Sequence, residues 1–370
     1  MLSDIKSGLV TQRYGTSVER TKDRRMLQIL HRGLPSSAFR TNRTGRNQNF
    51  FSTIKDKIMR MEETFRRQLI SMIAFSLSII ALAQPQGFEM PPMTPPDFAD
   101  VNYAGDDLEG HRLDIYLPKD GKERHPLIVV IYGSAWFSNN FKRAAYMSLG
   151  KPLTDAGYAV ACINHRASGE AKYPSQINDV KGAIRYLRAN AEKYGLDTSF
   201  VGITGFSSGG HLSAMAGVTN GMKDRTSGDI TIDIEGNVGG NLDQSSSVDA
   251  VVDWFGPVDM SRMENCETVK GGDSPEAVLM EVAPEDSPDM VALISPITYI
   301  TEDTAPMLVI HGNADNVVPY CQGVFFSDEL KKAGKLDKFI TVEGGQHGPV
   351  TFNEDTFTEM VKFFNSKSKH

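Results

Sequence analysis

The chain has 370 residues, of which 40% are hydrophobic, enough for a large core and within the range of one α/β domain. Its net charge of −7 hides an asymmetry, because residues 1–67 hold 15 Lys/Arg against 6 Asp/Glu and the remainder holds 24 against 40. The acidic body argues against nucleic-acid binding as the main role, so no nucleic-acid partner is expected.

The basic N-terminal part consists of two different segments. Residues 1–58 are polar, Arg-rich and without clear periodicity, which predicts disorder or sequence upstream of the true start codon. From residue 59 the pattern changes to a pair of arginines, Arg66 and Arg67, followed by an apolar run over 69–82 and a small-x-small site before Gln84. This order is typical of a secretory signal peptide over 59–83.

The apolar run is shorter than an ordinary membrane span, and no cysteine follows it to carry a lipoprotein anchor. A buried core helix is the alternative, but the polar flanks and the Pro-rich stretch over 84–99 favour a signal followed by a linker. The mature protein is therefore expected to be secreted or periplasmic, without a stable membrane anchor. Its catalytic domain is expected over 100–370.

The hydrophobic pattern of that domain alternates between strands and helices. Alternating apolar and polar residues predict an antiparallel pair of strands at 101–104 and 113–117. Apolar runs predict buried, parallel strands at 127–131, 158–163, 201–204, 250–255, 307–311 and 339–342. Helical spacing of apolar residues predicts helices at 177–193, 210–219, 322–333 and 355–364.

This alternation predicts an α/β fold, with a mostly parallel sheet of the eight-stranded type and helices on both faces. Two segments, 220–248 and 256–306, do not follow it. Both come directly after predicted strands, so they are expected to form short cap insertions over the carboxyl edge of the sheet, where such folds bind ligands.

A Gly-x-Ser-x-Gly sequence, residues 205–209, joins the predicted strand at 201–204 to the following helix. A strand–turn–helix corner of this kind strains its central serine and exposes the hydroxyl at the sheet edge, which makes Ser207 the candidate nucleophile. The backbone N–H of Ser208 then lies at a helix N-terminus, where it can donate to an oxyanion. The alternative is an ordinary Gly/Ser turn, and the other members of the site decide between the two.

A serine hydroxyl needs a base within hydrogen-bond reach, and the base needs an orienting carboxylate. In this architecture the chain order is Ser, acid, His, which selects Asp315 in the loop after one apolar strand and His347 in the loop after the last strand. Asp259, after the preceding strand, is a rival for the acid. His211, just past the elbow, is expected to be a helix-face packing residue, and His165 is expected to order a loop.

The second oxyanion donor is expected in the loop after the strand at 127–131, which reads Tyr132-Gly133-Ser134-Ala135-Trp136. Here the chain resembles α/β-hydrolases of the esterase/lipase group, whose motif at this position is usually His-Gly-Gly-Gly-Trp. Tyr132 replaces the histidine, and the backbone N–H of either Gly133 or Ser134 is left as the candidate donor. Further matches to the family lie in the following segments: 173–179, 185–191 and 253–257.

Together these segments resemble bacterial carbohydrate esterases of the acetylxylan and feruloyl type. The resemblance implies a serine ester hydrolase, which acts on small-molecule or polysaccharide esters and needs no metal or organic cofactor. A serine peptidase of the prolyl-oligopeptidase type is one alternative, but Ser208 stands where that type usually has a tyrosine. A non-catalytic binding module on a hydrolase fold is the other.

The aromatic residues Trp136 and Trp254 follow strands and are candidates for a substrate pocket, with ordinary core packing as the alternative. Cys266 and Cys321 could form a disulfide in an oxidising compartment, while Cys162 lies in a predicted buried strand. No spacing of cysteines and histidines suggests a metal site. The oligomeric state is not readable from the sequence.

Overall fold

The structure, a computed structural model, describes residues 94–368. The predicted disordered segment over 1–58 and the predicted signal peptide over 59–83 lie outside the described residues. Most of the predicted linker over 84–99 also lies outside them, and its end already forms part of the first strand, which begins at Phe98.

The described residues contain two sheets. The strands are β1 (Phe98–Asn102), β2 (Arg112–Tyr116), β3 (His125–Ile131), β4 (Ala159–Ile163), β5 (Leu196–Phe206), β6 (Asp224–Ser227), β7 (Ile230–Asp233), β8 (Ala250–Trp254), β9 (Met307–Gly312) and β10 (Leu336–Val342). Eight of them form one sheet in the order β1-β2-β4-β3-β5-β8-β9-β10, and β6 and β7 form a separate hairpin.

Eight α-helices connect these strands within the described residues. They are α1 (Lys142–Ala145), α2 (Lys151–Asp155), α3 (Ser175–Ala189), α4 (Ser208–Val218), α5 (Pro275–Met280), α6 (Pro288–Leu293), α7 (Cys321–Lys332) and α8 (Glu354–Ser368). No helix among residues 94–368 combines the length and the apolar character needed to cross a membrane.

The large sheet is antiparallel only at its first edge, where β1 pairs with β2 and β2 with β4, and all its other neighbours are parallel. Residues of β3 alternate between two cores. Leu127, Val129 and Ile131 pack on one face with α3, α4 and α7, and Ile128 and Val130 pack on the other face with α2 and α8. Both faces are therefore covered, which explains why the central strands are continuous apolar runs.

The predicted fold class is confirmed, including the antiparallel first pair and the helices on both faces. The hairpin of β6 and β7 was not predicted, since both strands are short and polar. Cys266 and Cys321 form a disulfide, which ties the insertion after β8 to the first residue of α7.

The carboxyl group of Asp253 is buried within β8, next to the predicted elbow. One of its oxygens, Oδ1, accepts a hydrogen bond from the Gly256 N–H at 3.0 Å, while Oδ2 has no partner among the described residues. Burial raises the pKa of Asp253 to about 7, because removing the carboxylate from water penalises its charged form.

Replacing Asp253 with Asn should therefore stabilise the protein at neutral pH. The folded-state pKa of Asp253 is raised, so the stability that its protonated form provides is complete below about pH 3.8 and is lost as the pH rises to about 7. The free energy of unfolding of Asp253→Asn relative to the parent protein should then increase by up to about 4 kcal/mol between those limits.

Urea unfolding at a series of pH values measures this difference. Asp155→Asn is the control, because Asp155 forms an exposed pair with Lys151 and its replacement should change little. A flat difference between Asp253→Asn and the parent from pH 4 to 7 would contradict the assigned pKa.

Candidate active site

The centre of the site is the corner between β5 and α4, where Ser207 adopts φ 57° and ψ −126°. A positive φ is uncommon for a residue with a side chain and costs about 1–3 kcal/mol. Two backbone hydrogen bonds hold the corner. The Ser207 N–H donates to the Trp254 carbonyl at 2.9 Å, and the Ser207 carbonyl accepts from the His211 N–H at 3.0 Å.

The glycines on either side of Ser207 are required by close backbone approach. A Cβ atom added to Gly209 would overlap the carbonyl oxygens of Ile131 and Tyr132, at the end of β3. A Cβ atom added to Gly205 would overlap the backbone of Gly209. Backbone atoms cannot move aside as a flexible side chain can, so this corner requires glycine at both positions.

Ser207, His347 and Asp315 form one continuous chain of hydrogen bonds. His347 Nε2 lies 2.9 Å from Ser207 Oγ, and His347 Nδ1 lies 2.8 Å from Asp315 Oδ2. Because an ionised carboxylate can only accept, Nδ1 carries the proton of the neutral ring. The lone pair of Nε2 therefore faces the Ser207 hydroxyl and can take its proton.

Three backbone loops bring these side chains together at the carboxyl edge of the sheet. Ser207 follows β5, Asp315 follows β9 and His347 follows β10. The Asp315 side chain is completely buried. Its Oδ1 accepts the N–H groups of Val317 and Val318, at 2.8 and 3.0 Å, so Oδ2 is left directed at His347.

A second histidine, His311, lies beneath Asp315. Its Nε2 is 3.0 Å from the Val318 carbonyl, which can only accept, and 3.7 Å from Asp315 Oδ2. Burial lowers the pKa of His311 to about 4. His311 is therefore neutral near pH 7 and does not compete as a cation with His347 for the charge of Asp315.

Phe255, directly after β8, packs against the base. Its ring centroid lies 4.7 Å from that of His347, and its backbone has φ 42°. Phe255 is itself almost fully buried, so it restricts the orientation of the imidazole from the side of the core.

The rival acid, Asp259, is engaged elsewhere. Its Oδ1 caps the short 3-10 helix Met260–Arg262 by accepting from Ser261, and its Oδ2 pairs with the Arg262 guanidinium. The structure therefore places Asp315, and not Asp259, beside His347.

The loop predicted to supply the second oxyanion donor passes directly over the corner. A Cβ atom on Gly133 would lie 2.6 Å from the Cβ of Ser207, so only glycine allows the loop to come this close. The Ser134 N–H donates to Ser208 Oγ at 2.8 Å. The Ser208 N–H belongs to the first turn of α4, beside the nucleophile.

The remaining candidates lie in the interior. Trp254 is 0% exposed and packs against Phe352 and Phe357, and Trp136 is 2% exposed. Neither ring offers a surface to a substrate, so a role in an aromatic pocket has no support in the structure. His165 is buried, with its Nδ1 at 3.0 Å from the Arg166 carbonyl, consistent with the expected loop-ordering role.

His211 has a more specific environment than packing alone would give. It is buried on α4, where its Nδ1 accepts a hydrogen bond from the Trp136 indole N–H at 3.2 Å, while its Nε2 lies 2.8 Å from the Ile294 carbonyl. Sequence reasoning did not find this contact or the one between Ser134 and Ser208, because neither spacing carries a pattern. The only signal was their position next to the elbow.

Comparison with known proteins places this geometry in a family. The BD-FAE family model matches residues 113–330, more than half of the chain. Esterase LipC of Mycobacterium tuberculosis is 31% identical over 246 residues, which are 66% of this chain and 58% of LipC. The chain therefore spans less than two thirds of that relative's length.

Two solved structures are more similar. A truncated carbohydrate esterase from gut microbiota is 55% identical, with a TM-score of 0.74, and the match covers 76% of this chain and 99% of that one. A bifunctional GH43-CE protein of Bacteroides eggerthii is 59% identical, with a TM-score of 0.72, over 73% of this chain and 35% of that one. The resemblance to α/β-hydrolases of the esterase type is confirmed.

The hydrogen-bond chain predicts selective reactivity of one serine. A fluorophosphonate should label Ser207, and Ser207→Ala should abolish the labelling, because only this hydroxyl contacts a histidine oriented by a carboxylate. Asp315→Asn should slow the labelling by at least about a hundredfold, since it weakens the tautomer preference of His347. The label is located by peptide mass spectrometry.

Asp259→Asn is the matched control, and it should leave the labelling rate within about threefold of the parent. A slower reaction of Asp259→Asn than of Asp315→Asn would reassign the acid.

Proposed function

The chain belongs to the BD-FAE family, and we propose that it is a serine carboxylic-ester hydrolase, which removes acetyl or feruloyl groups from plant polysaccharide or small esters. The observation that carries the proposal is the continuous hydrogen-bond chain from Asp315 through His347 to Ser207. Such a chain activates a hydroxyl for attack on a carbonyl carbon.

In the proposed reaction, His347 Nε2 takes the Ser207 proton while Oγ attacks the ester carbonyl. The negative charge develops on the carbonyl oxygen, which the Ser208 N–H and an N–H of the loop containing Gly133 and Ser134 stabilise. Each such donor contributes about 2.7–4 kcal/mol to the transition state. Asp315 keeps His347 in the required tautomer and stabilises the imidazolium that forms.

The tetrahedral intermediate collapses when His347 donates its proton to the leaving alcohol, and an acyl group remains on Ser207. Water then enters in place of the alcohol. His347 removes a proton from this water, and the same steps release the carboxylic acid and restore the serine. Every proton in this sequence moves through one nitrogen, Nε2, so the orientation of a single ring governs both halves of the reaction.

The carbohydrate-ester substrate is supported by similarity, since a structure 55% identical to this chain is described as a carbohydrate esterase. The feruloyl and acetyl alternatives remain two arms of the same proposal. Burial of Trp136 and Trp254 removes the aromatic wall that would have favoured a feruloyl ring.

Ser207→Ala should reduce the hydrolysis of p-nitrophenyl acetate, acetylated xylan and methyl ferulate to the background rate, with the unfolding midpoint preserved. The parent protein should act on at least one of the last two, and their relative kcat/KM identifies the acyl group. Release of product by Ser207→Ala at the parental rate would remove Ser207 from the mechanism. Cleavage of a prolyl peptide in place of the esters would favour a peptidase.

We further propose that the protein is exported, to the periplasm or the medium. The disulfide between Cys266 and Cys321 supports an oxidising compartment, where such bonds form and persist. Expression of the full chain in a bacterial host should give a secreted form that begins at Gln84, as read by N-terminal sequencing. Retention of residues 59–83 in the exported protein would contradict cleavage at this site.

A further inference from the structure

The loop that passes over Ser207 is strained. Ala135 and Trp136, two consecutive residues with side chains, have φ values of 49° and 60°. Each left-handed residue of this kind costs about 1–3 kcal/mol and persists only where surrounding contacts enforce it. The question is which contacts keep loop 133–136 in this conformation.

Two of these contacts come from one face of α4. Ser208 and His211 are three residues apart, so their side chains lie on neighbouring positions of the same face. Ser208 Oγ accepts the Ser134 N–H at 2.8 Å, and His211 Nδ1 accepts the Trp136 indole N–H at 3.2 Å. The helix that begins at the nucleophile therefore grips the loop at both sides of its strained part.

The contact with His211 is fixed in its direction. The Ile294 carbonyl can only accept, so His211 Nε2 carries the proton, and the indole N–H can only donate, so Nδ1 must be the bare acceptor. Burial lowers the pKa of His211 to about 4, so the ring stays in this neutral form over the ordinary working range. A protonated ring would turn a second N–H toward the indole.

The contact with Ser208 decides how the loop is used. The Ser134 N–H is directed at Ser208 Oγ, while no hydrogen bond involving the Gly133 N–H is found among the described residues. The Gly133 Cα lies directly over the Ser207 side chain. Of the two amides that the sequence left open, the one at Gly133 is thus the available partner for the Ser208 N–H at the oxyanion.

We propose that Ser208 and His211 are positioning residues, which hold loop 133–136 in its strained conformation so that the Gly133 N–H is presented to the oxyanion. This inference rests on the proposed ester hydrolysis and assigns to the side chain of Ser208 a role separate from that of its backbone N–H. The loop then stabilises the transition state more than the bound ester, so its release should lower kcat and leave KM nearly unchanged.

The test compares Ser208→Ala and Trp136→Phe, each of which removes one of the two contacts and keeps the backbone of the helix. Each variant should lower kcat on p-nitrophenyl acetate about tenfold, the effect of losing roughly one neutral hydrogen bond, with KM changed by less than about twofold. The rate of phosphonylation of Ser207 should fall in parallel, because that reaction also places negative charge on an oxygen at this position.

The double variant gives a second readout. If both contacts hold the same loop, releasing it once should leave less for the second change to remove, so the combined loss should be smaller than the product of the two single losses. Independent packing defects would multiply.

Ser213→Ala is the matched control. Ser213 is buried on the same helix, but its Oγ donates to the Gly209 carbonyl at 2.8 Å and is not recorded in contact with the loop. Its kcat should stay within about twofold of the parent. Ser207→Ala, run alongside, separates the two claims, because turnover by that variant would overturn the proposed function itself.

Unchanged or increased kcat in both Ser208→Ala and Trp136→Phe would overturn the inference, since the Ser134 amide would then be better placed without its partner. Equal losses in these variants and in Ser213→Ala, matched by equal drops in the unfolding midpoint, would also overturn it. If Ser208→Ala fails to fold, the KM and kcat of Trp136→Phe decide the question alone.

Discussion

The backbone at Ser207 is the constraint on which the site depends. A positive φ at a residue with a side chain is unfavourable, and it is kept here because β5 and α4 are both packed into the core and leave no other path for the chain. Gly205 and Gly209 let the backbones meet closely enough for this turn. The strain is localised where the hydroxyl must project from the sheet edge, and the sheet and helix supply the stability that offsets it.

The parallel sheet then determines which other residues can reach this hydroxyl. Strands β5, β9 and β10 end at the same edge, so the loops after them bring Asp315 and His347 to Ser207 from distant parts of the sequence. Buried histidines around the site, His211 and His311, are held neutral by desolvation and act as fixed hydrogen-bonding groups. Only His347 keeps a partly exposed ring with a lone pair directed at the serine.

The sequence predicted the fold well because buried parallel strands are continuous apolar runs, and it predicted the order Ser, acid, His because that order follows from the sheet. It failed for the polar hairpin of β6 and β7, where no hydrophobic period exists. The pocket role of Trp254 also lacks support, since a run of apolar residues does not show which ring faces solvent. The contact between Ser134 and Ser208 joins residues 74 positions apart and needs coordinates to be seen.

The central claim is that ester cleavage proceeds through an acyl group on Ser207. The most direct measurement is acid quenching of the protein within its first turnovers of p-nitrophenyl acetate, followed by mass spectrometry of its peptides. The account predicts one acetyl group on the peptide that contains Ser207, which disappears as the substrate is exhausted. Full-rate hydrolysis with no acetylated peptide, or with the acetyl group on another residue, would contradict it.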